Sequence, residues 1–286
     1  MHTLIELFES IPKKITNLQK QHFPDCECIC CYGDIIYGIL LEWQKQFEKI
    51  KKSKNEKLLI ILHTGGGSVT IVEKLVSITR RFFKEVYFLI PEQAMSAGTI
   101  WVMSGDKIYM SYLSSLGPID PQVPSSDGSK LLPALGFLDK FREISDKSLH
   151  NQASPVELMM INNLSIADLS LYEQNLALSI DLLKEWLTKY KFKNWSKTTS
   201  QKKDVTNKMK QDRANQIAIQ LNNTHQLWHS HGRYLSIETL EKVLKLQIDD
   251  FSDNDLLFEH VNSLHRSMIE LQNKLPYPLL IIAAKS

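Results

Sequence analysis

Charge of one sign is nearly missing from this sequence: 34 Lys and Arg face 32 Asp and Glu, a formal net charge of +2 over 286 residues. No strong field is available to gather nucleic acid or an acidic membrane surface. Long apolar runs are missing too. The longest, LLIIL at 58–62 and LLIIAA near the end, fall far short of the roughly 18–20 residues that a membrane span requires. The opening MHTLIELFESIPKK sets acids before its basic pair and holds no long apolar segment, so no secretory signal is expected there. The expectation is a soluble, cytoplasmic chain with no membrane span and no nucleic-acid partner. Its 43% hydrophobic content can bury a real core.

Cysteine is absent outside one stretch, CECICCYG, which carries Cys26, Cys28, Cys30 and Cys31. A zinc site usually takes two ligand pairs separated by a longer loop. This apolar stretch looks instead like a strand, sending Cys26, Cys28 and Cys30 to one face and Cys31 to the other. Buried, reduced thiols are expected, without metal or disulfide.

Strands alternate with helices through the first half. After the cysteine strand, Ile36, Leu40, Trp43, Phe47 and Ile50 recur at helical spacing. A charged linker, KKSKNEK, leads to LLIILH, a continuous apolar run suited to a parallel strand covered on both faces. TGGGS follows, then a helix on which Val72, Val76, Phe82 and Phe83 can share a face. VYFLI reads as a strand, AGTIWVMSG as a helix and KIYMSY as a strand. This alternation predicts a mostly parallel sheet with functional groups gathered at the strand C-terminal ends, where HTGGGS and EQAMSAG both fall.

Gly65, Gly66 and Gly67 let backbone N–H groups face a ligand without side-chain obstruction. Acyl transfer needs such donors, aimed at the oxygen that turns negative in the tetrahedral intermediate. Ser96, on an expected tight strand-to-helix turn, could supply a nucleophile, and the N–H of Ala97 a further donor. Two rival readings stand beside this one. A phosphate cradle lacks the lysine of a P-loop. A plain loop followed by a serine N-cap is the ordinary use of such residues.

Three segments carry a family resemblance: ILHTGGGSVT, then AMSAGTIWVMSGDKIYMSYLSSLGPIDPQV, then HGRYLSIETLEKVLKL. They resemble the Clp-fold serine peptidases, above all the serine dehydrogenase proteinase (SDH) branch, with signal peptide peptidase A and the Clp proteolytic subunit as more distant relatives. The resemblance is strong over residues 26–125 and weaker over 225–250. It implies an α/β Clp/crotonase-like fold, a mostly parallel sheet of repeated β-β-α and βα units flanked by helices, with a helical insertion. It also implies a serine peptidase acting through an acyl-enzyme on Ser96, with Gly66, Gly67 and Ala97 as the oxyanion hole.

The general base departs from the better-known relatives. Where the Clp subunit places its histidine, this chain reads LGPIDPQV, with Ile119 and Asp120 near that position. Signal peptide peptidase A uses a lysine, and here LLPALGF stands in the similar stretch, flanked by Lys130 and Lys140. The downstream SHGRYLSIETLEKVLKL brings His231, at about the point where the SDH branch tends to carry a histidine. An imidazole suits proton transfer from a serine near neutral pH. The expected base is thus His231, oriented by Asp120, with Lys130 and Lys140 as alternatives. The structural readings are a turn braced by Asp120 between two prolines and a loop satisfied by His231. His63 is read as support for the glycine turn, and His225 and His229 as solvent-facing. Neither a metal nor a cofactor is expected.

The domain reading has four parts: an N-terminal helical segment (1–25), the α/β core (26–144), a helical region (145–224) and a part completing the core (225–286). Leu and Met at three-to-four spacing mark long helices after 145, and Ser154 before Pro155 and Glu157 marks a helix start. The Lys-rich stretch 191–213 reads as a solvated face. The apolar surface of 155–187 suggests a closed homo-oligomer. Peptide or protein is the implied substrate. A crotonase-like acyl-CoA enzyme and a non-catalytic Clp-like scaffold are the alternatives.

Overall fold

The computed structural model describes residues 3–124, 131–162, 165–198, 202–276 and 279–284. The first half runs α1 (Leu4–His22), β1 (Cys26–Tyr32), α2 (Ile39–Ile50), β2 (Lys57–His63), α3 (Val69–Phe82), β3 (Glu85–Leu89), β4 (Gln93–Ala94), α4 (Ala97–Val102), β5 (Lys107–Met110) and β6 (Ser115–Leu116). A hairpin of β7 (Gln122–Pro124) and β8 (Leu131–Pro133) leads into α5 (Ala134–Leu149), α6 (Pro155–Asn162) and α7 (Ile166–Trp186). The chain closes with α8 (Asn207–Asn222), α9 (Ile237–Lys242), β9 (Asp249–Asp250), α10 (Asp255–Gln272) and β10 (Leu280–Ala283).

The main sheet has the order β10-β1-β2-β3-β5-β9. Every pairing in it is parallel except that of β10 with β1. Both edge strands come from the last forty residues or so of the sequence, so the C-terminal part completes the sheet begun near residue 26.

Strand alternation sorts the core into two halves. Cys26, Cys28 and Cys30, with Leu59 and Ile61, face α1 and α10, which bury Leu7, Ile11, Ile15 and Leu18, and Val261, Leu264 and Met268. Ile29 and Cys31, with Leu58, Ile60 and Leu62, face α2, α3 and α4. The four cysteines are free and buried, split between the faces as their spacing requires.

Some local expectations shift. Ile36 precedes α2 and is exposed; the buried stripe is Ile39, Trp43, Phe47 and Ile50. Phe82 ends α3 and is partly exposed, whereas Phe83 takes an extended conformation and turns into the core. The Lys-rich stretch is drawn inward at one end. Lys193 Nζ lies 2.5 Å from Asp106, and burial pushes Lys191 down to about 8. Region 145–224 is divided: Leu182, Leu183 and Trp186 of α7 and Ala214, Ile217, Ala218 and Leu221 of α8 join the core, while α6 buries no side chain. Ser154 caps α6, accepting from the Glu157 N–H while the Glu157 carboxylate accepts from the Ser154 N–H.

Candidate active site

The C-terminal ends of β2 and β3 carry the two segments that resemble a peptidase site. After β2, the Thr64 N–H donates to the Gln93 carbonyl and the Met95 N–H donates to the Thr64 carbonyl, a parallel bridge that lays the glycine loop beside the serine turn. Behind the loop, Gly67 pairs with Ile35. Gly66 and Gly67 have φ of 115° and 140°, the region that favours glycine. A Cβ at Gly67 would stand 2.3 Å from the Ile35 carbonyl oxygen, and one at Gly66 would stand 2.8 Å from Ser96 Cβ. Glycine is therefore required for both conformation and close approach.

Ser96 sits between β4 and α4 with φ 53° and ψ −119°, a strained conformation for a residue with a side chain. Sharp strand-to-helix turns of this kind expose a serine hydroxyl. Although Ser96 holds the N-cap position of α4, its side chain makes no capping hydrogen bond. Among the described residues the hydroxyl has no hydrogen-bond partner at all. The ordinary role of a serine at a helix start is thus not being performed.

The backbone donors around it differ. The Gly66 N–H donates to Thr64 Oγ1 at 3.0 Å and is committed. The N–H groups of Gly67 and Ala97 have no partner among the described residues. Two open donors flank the serine, while Gly66 contributes the space that lets Ser96 come near.

Asp120 and His231 reach this end of the sheet through a short antiparallel contact. Leu116 and Leu235 exchange backbone hydrogen bonds at 3.1 and 2.8 Å. Four residues further along each segment, Asp120 and His231 meet through their side chains. Asp120 is fully buried, and its Oδ1 lies 2.7 Å from His231 Nδ1. Its Oδ2 accepts from the Gln122 amide at 2.9 Å. A carboxylate accepts, so Nδ1 carries the hydrogen of this bond, and in a neutral ring the lone pair is then on Nε2. His231 remains about one-quarter exposed.

This segment is tied to the serine turn by Thr99, which is buried in α4. Its hydroxyl lies 2.8 Å from the Ala94 carbonyl and 2.9 Å from the Gly117 carbonyl, and it accepts from the Gly117 N–H at 2.9 Å. Gly117 packs directly on Met95. Thr99, Thr64 and Gln122 carry no mark in the sequence, since their roles depend on contacts between strand ends.

Of the two lysine alternatives, only Lys140 lies among the described residues. Lys140 is an exposed residue of α5, ion-paired to Glu143 at 3.0 Å. Lys130 lies outside the described residues. His225 is exposed, 4.0 Å from Asp139, and His229 is exposed in a left-handed turn after the π-helical stretch Thr224–Trp228.

Sequence reading treated His63 alone, but the fold surrounds it with Glu92 and His265. Burial, reinforced by His265 and opposed by Glu92, lowers His63 to about 4, so its imidazole is neutral at physiological pH. The signal for His265 was faint. It is one polar residue on the apolar stripe of α10, four after Val261 and three before Met268.

With this geometry in hand, the chain was compared with known proteins. The family model for ClpP-like SDH-type serine proteinases matches residues 44–224, more than half of the sequence. The chain belongs to this family. Two curated relatives are uncharacterized proteins of Methanocaldococcus jannaschii: MJ0137, 30% identical over 82 residues (29% of each chain), and MJ1495, 29% identical over 90 residues (32% of this chain, 30% of the relative). The match thus spans under a third of either relative's length. Among solved structures, a mutant of the 1510-N membrane-bound stomatin-specific protease gives a TM-score of 0.47 at 13% identity, covering 81% of both chains. A mutant of ClpP1 from Listeria monocytogenes gives 0.39 at 11% identity, covering 84% of this chain and 99% of the other. The assignment to the SDH-type family rests on the family match, not on these distant structural likenesses. Among the described residues, no helix is long and apolar enough to cross a membrane.

Proposed function

We propose that this member of the family hydrolyses peptide bonds through an acyl-enzyme on Ser96. His231 Nε2 takes the hydroxyl proton as Oγ attacks the scissile carbonyl carbon. The oxygen of that carbonyl becomes an oxyanion held by the N–H groups of Gly67 and Ala97. Collapse of the intermediate expels the amine, which leaves with the proton from His231. A water then repeats the sequence in reverse order, and the acid product departs. Asp120 fixes the tautomer of His231 and stabilises its imidazolium. Ser96 makes no hydrogen bond to His231 in the unliganded chain, so the proposal requires the two to come within hydrogen-bond range when substrate binds.

The observation that carries this reading is the hydrogen bond from His231 to the buried Asp120, which leaves the other imidazole nitrogen open beside a segment that Gly117 and Thr99 bond to the serine turn. The test is turnover of a fluorogenic peptide library by the wild type and by Ser96→Ala. Loss of turnover with an unchanged circular dichroism spectrum supports the proposal. Undiminished turnover by Ser96→Ala rejects it.

A further inference from the structure

The face of the sheet opposite α2 and α3 ends in a polar group that no step of the proposed peptide hydrolysis uses. Tyr32 and His63 are register partners at the C-terminal ends of β1 and β2. They follow Cys30 and Ile61 on the same face, so the apolar stripe ends in a phenol and an imidazole. Helix α10 lies across this face and brings His265 over both, with ring centroids 5.1 Å from His63 and 5.7 Å from Tyr32. Glu92, in the loop after β3, closes the group. Its backbone carbonyl accepts from the Ser115 N–H at 2.7 Å, which anchors the residue while its side chain stays about half exposed.

We infer that His63, Glu92 and His265 form a binding site for a divalent transition-metal ion of the zinc class, with one coordination position left open. One ligand atom from each residue lies within 4.8 Å of the other two. Glu92 Oε2 is 3.5 Å from His63 Nδ1 and 3.2 Å from His265 Nε2. Tetrahedral coordination at about 2.0–2.1 Å sets neighbouring ligand atoms about 3.3–3.4 Å apart, so both Glu92 separations already fit, and the two imidazole nitrogens, within 4.8 Å of each other, would close on the ion. Two imidazoles and one carboxylate are the donor set such ions favour.

Two further features point to an ion. His63 Nδ1 is buried and has no hydrogen-bond partner. A buried polar atom without a partner is uncommon, and a bound cation would satisfy it. His265 has its outer partner in place, because Nδ1 lies 3.1 Å from the Tyr32 hydroxyl. For Nε2 to face a metal, Nδ1 must carry the hydrogen, and the Tyr32 oxygen stands ready to accept it. A second ring nitrogen held in this way is the usual support of a metal-bound histidine. The exposed Glu92 supplies the entry path. The site stands independently of the peptidase proposal, although His63 adjoins Thr64 and Glu92 adjoins Gln93. A bound ion would therefore tie to α10 the two segments that the Thr64 bridge joins.

The test uses the full chain, freed of metal with a chelator and titrated with zinc chloride in a calorimeter. One equivalent should bind at micromolar or lower concentration. Glu92→Gln, on an exposed side chain that leaves the core intact, should weaken binding at least about 10-fold, His265→Gln should abolish it, and Tyr32→Phe should weaken it about 10-fold through the support of His265. Zinc should raise the melting temperature of the wild type but not of His265→Gln. Cobalt(II) should give a tetrahedral visible spectrum without a thiolate charge-transfer band. Failure to bind zinc, equal affinity in Glu92→Gln and the wild type, or a charge-transfer band lost on replacing Cys28 and Cys30 by serine would each overturn the site.

Discussion

The two ends of the parallel strands are built on different principles. At the N-terminal end, beside the start of β5, the Asp106 side chain is almost fully buried and held by two cations and a backbone N–H. Its Oδ2 accepts from Arg80 and from the Val86 N–H, each at 2.8 Å, and Lys193 pairs with Oδ1. Arg80 also donates to the Ser104 carbonyl and stacks on the Tyr190 ring at 3.7 Å. At the C-terminal end, polar groups are left unfinished: the Ser96 hydroxyl, the Gly67 and Ala97 N–H groups, His231 Nε2 and His63 Nδ1. Positive φ at Gly66, Gly67 and Ser96 marks the serine end as well. A group with every partner in place holds the fold together, whereas a held group with a free valence can act on something else.

The contrast can be broken at either end. The largest effect is expected from Asp120→Asn, which keeps the shape of the buried side chain but lets His231 adopt the wrong tautomer. The turnover number should fall by about 10⁴, the loss seen when a triad aspartate becomes asparagine, with little change in melting temperature. A loss below about 10-fold would mean that Asp120 is only a brace, as the structural reading of LGPIDPQV holds.

Asp106→Ala should behave in the opposite way. Removing the acid strands Arg80 and Lys193 in a largely buried place, which costs about 3–5 kcal/mol of stability in denaturant titrations while leaving activity per folded molecule intact. Acid exposes the same network. Burial opposes ionisation of Asp106, but Arg80, Lys193 and the Val86 N–H outweigh it and hold the carboxyl below its ordinary value. Its contribution is therefore fully present above about pH 4 and is lost as the pH falls through the lower folded value. Urea midpoints measured from pH 5 to pH 3 should fall more steeply for the wild type than for Asp106→Asn.

The smallest effect sharpens the strain argument. Ser96→Gly should raise stability by about 1 kcal/mol, because glycine adopts φ 53°, ψ −119° without the cost borne by serine. A destabilised Ser96→Gly would show that the turn is relaxed as built.

Much of this plan was legible in the sequence, because it depends on local periodicity. The apolar run of β2, the alternating cysteines of β1 and the small-residue turn at Ser96 each announce their place. Asp120 and His231 were legible only as a pair of candidates, and it is the fold, which bridges Leu116 to Leu235 close by, that brings them together. The engagement of Gly66 by the Thr64 hydroxyl was hidden, since three consecutive glycines look alike until the loop closes. The His63, Glu92 and His265 group was hidden for a different reason. Its members come from a strand end, a loop and a late helix, and no spacing rule links them. The inward turn of Lys191 and Lys193 was masked by the surrounding charge, which reads as solvated until a buried aspartate is placed beside it.

The central claim is that Ser96 is a nucleophile activated by His231. A fluorophosphonate reports both parts at once, because it bonds only to an activated serine and marks the residue it reaches. Wild type, Ser96→Ala, His231→Ala and Lys140→Ala would be treated with the reagent and the adduct mapped by peptide mass spectrometry. The expected result is a single adduct on Ser96, absent from Ser96→Ala, slowed by at least about 10³ in His231→Ala and unchanged in Lys140→Ala. An adduct that persists in Ser96→Ala, or that forms at the wild-type rate in His231→Ala, would contradict the account.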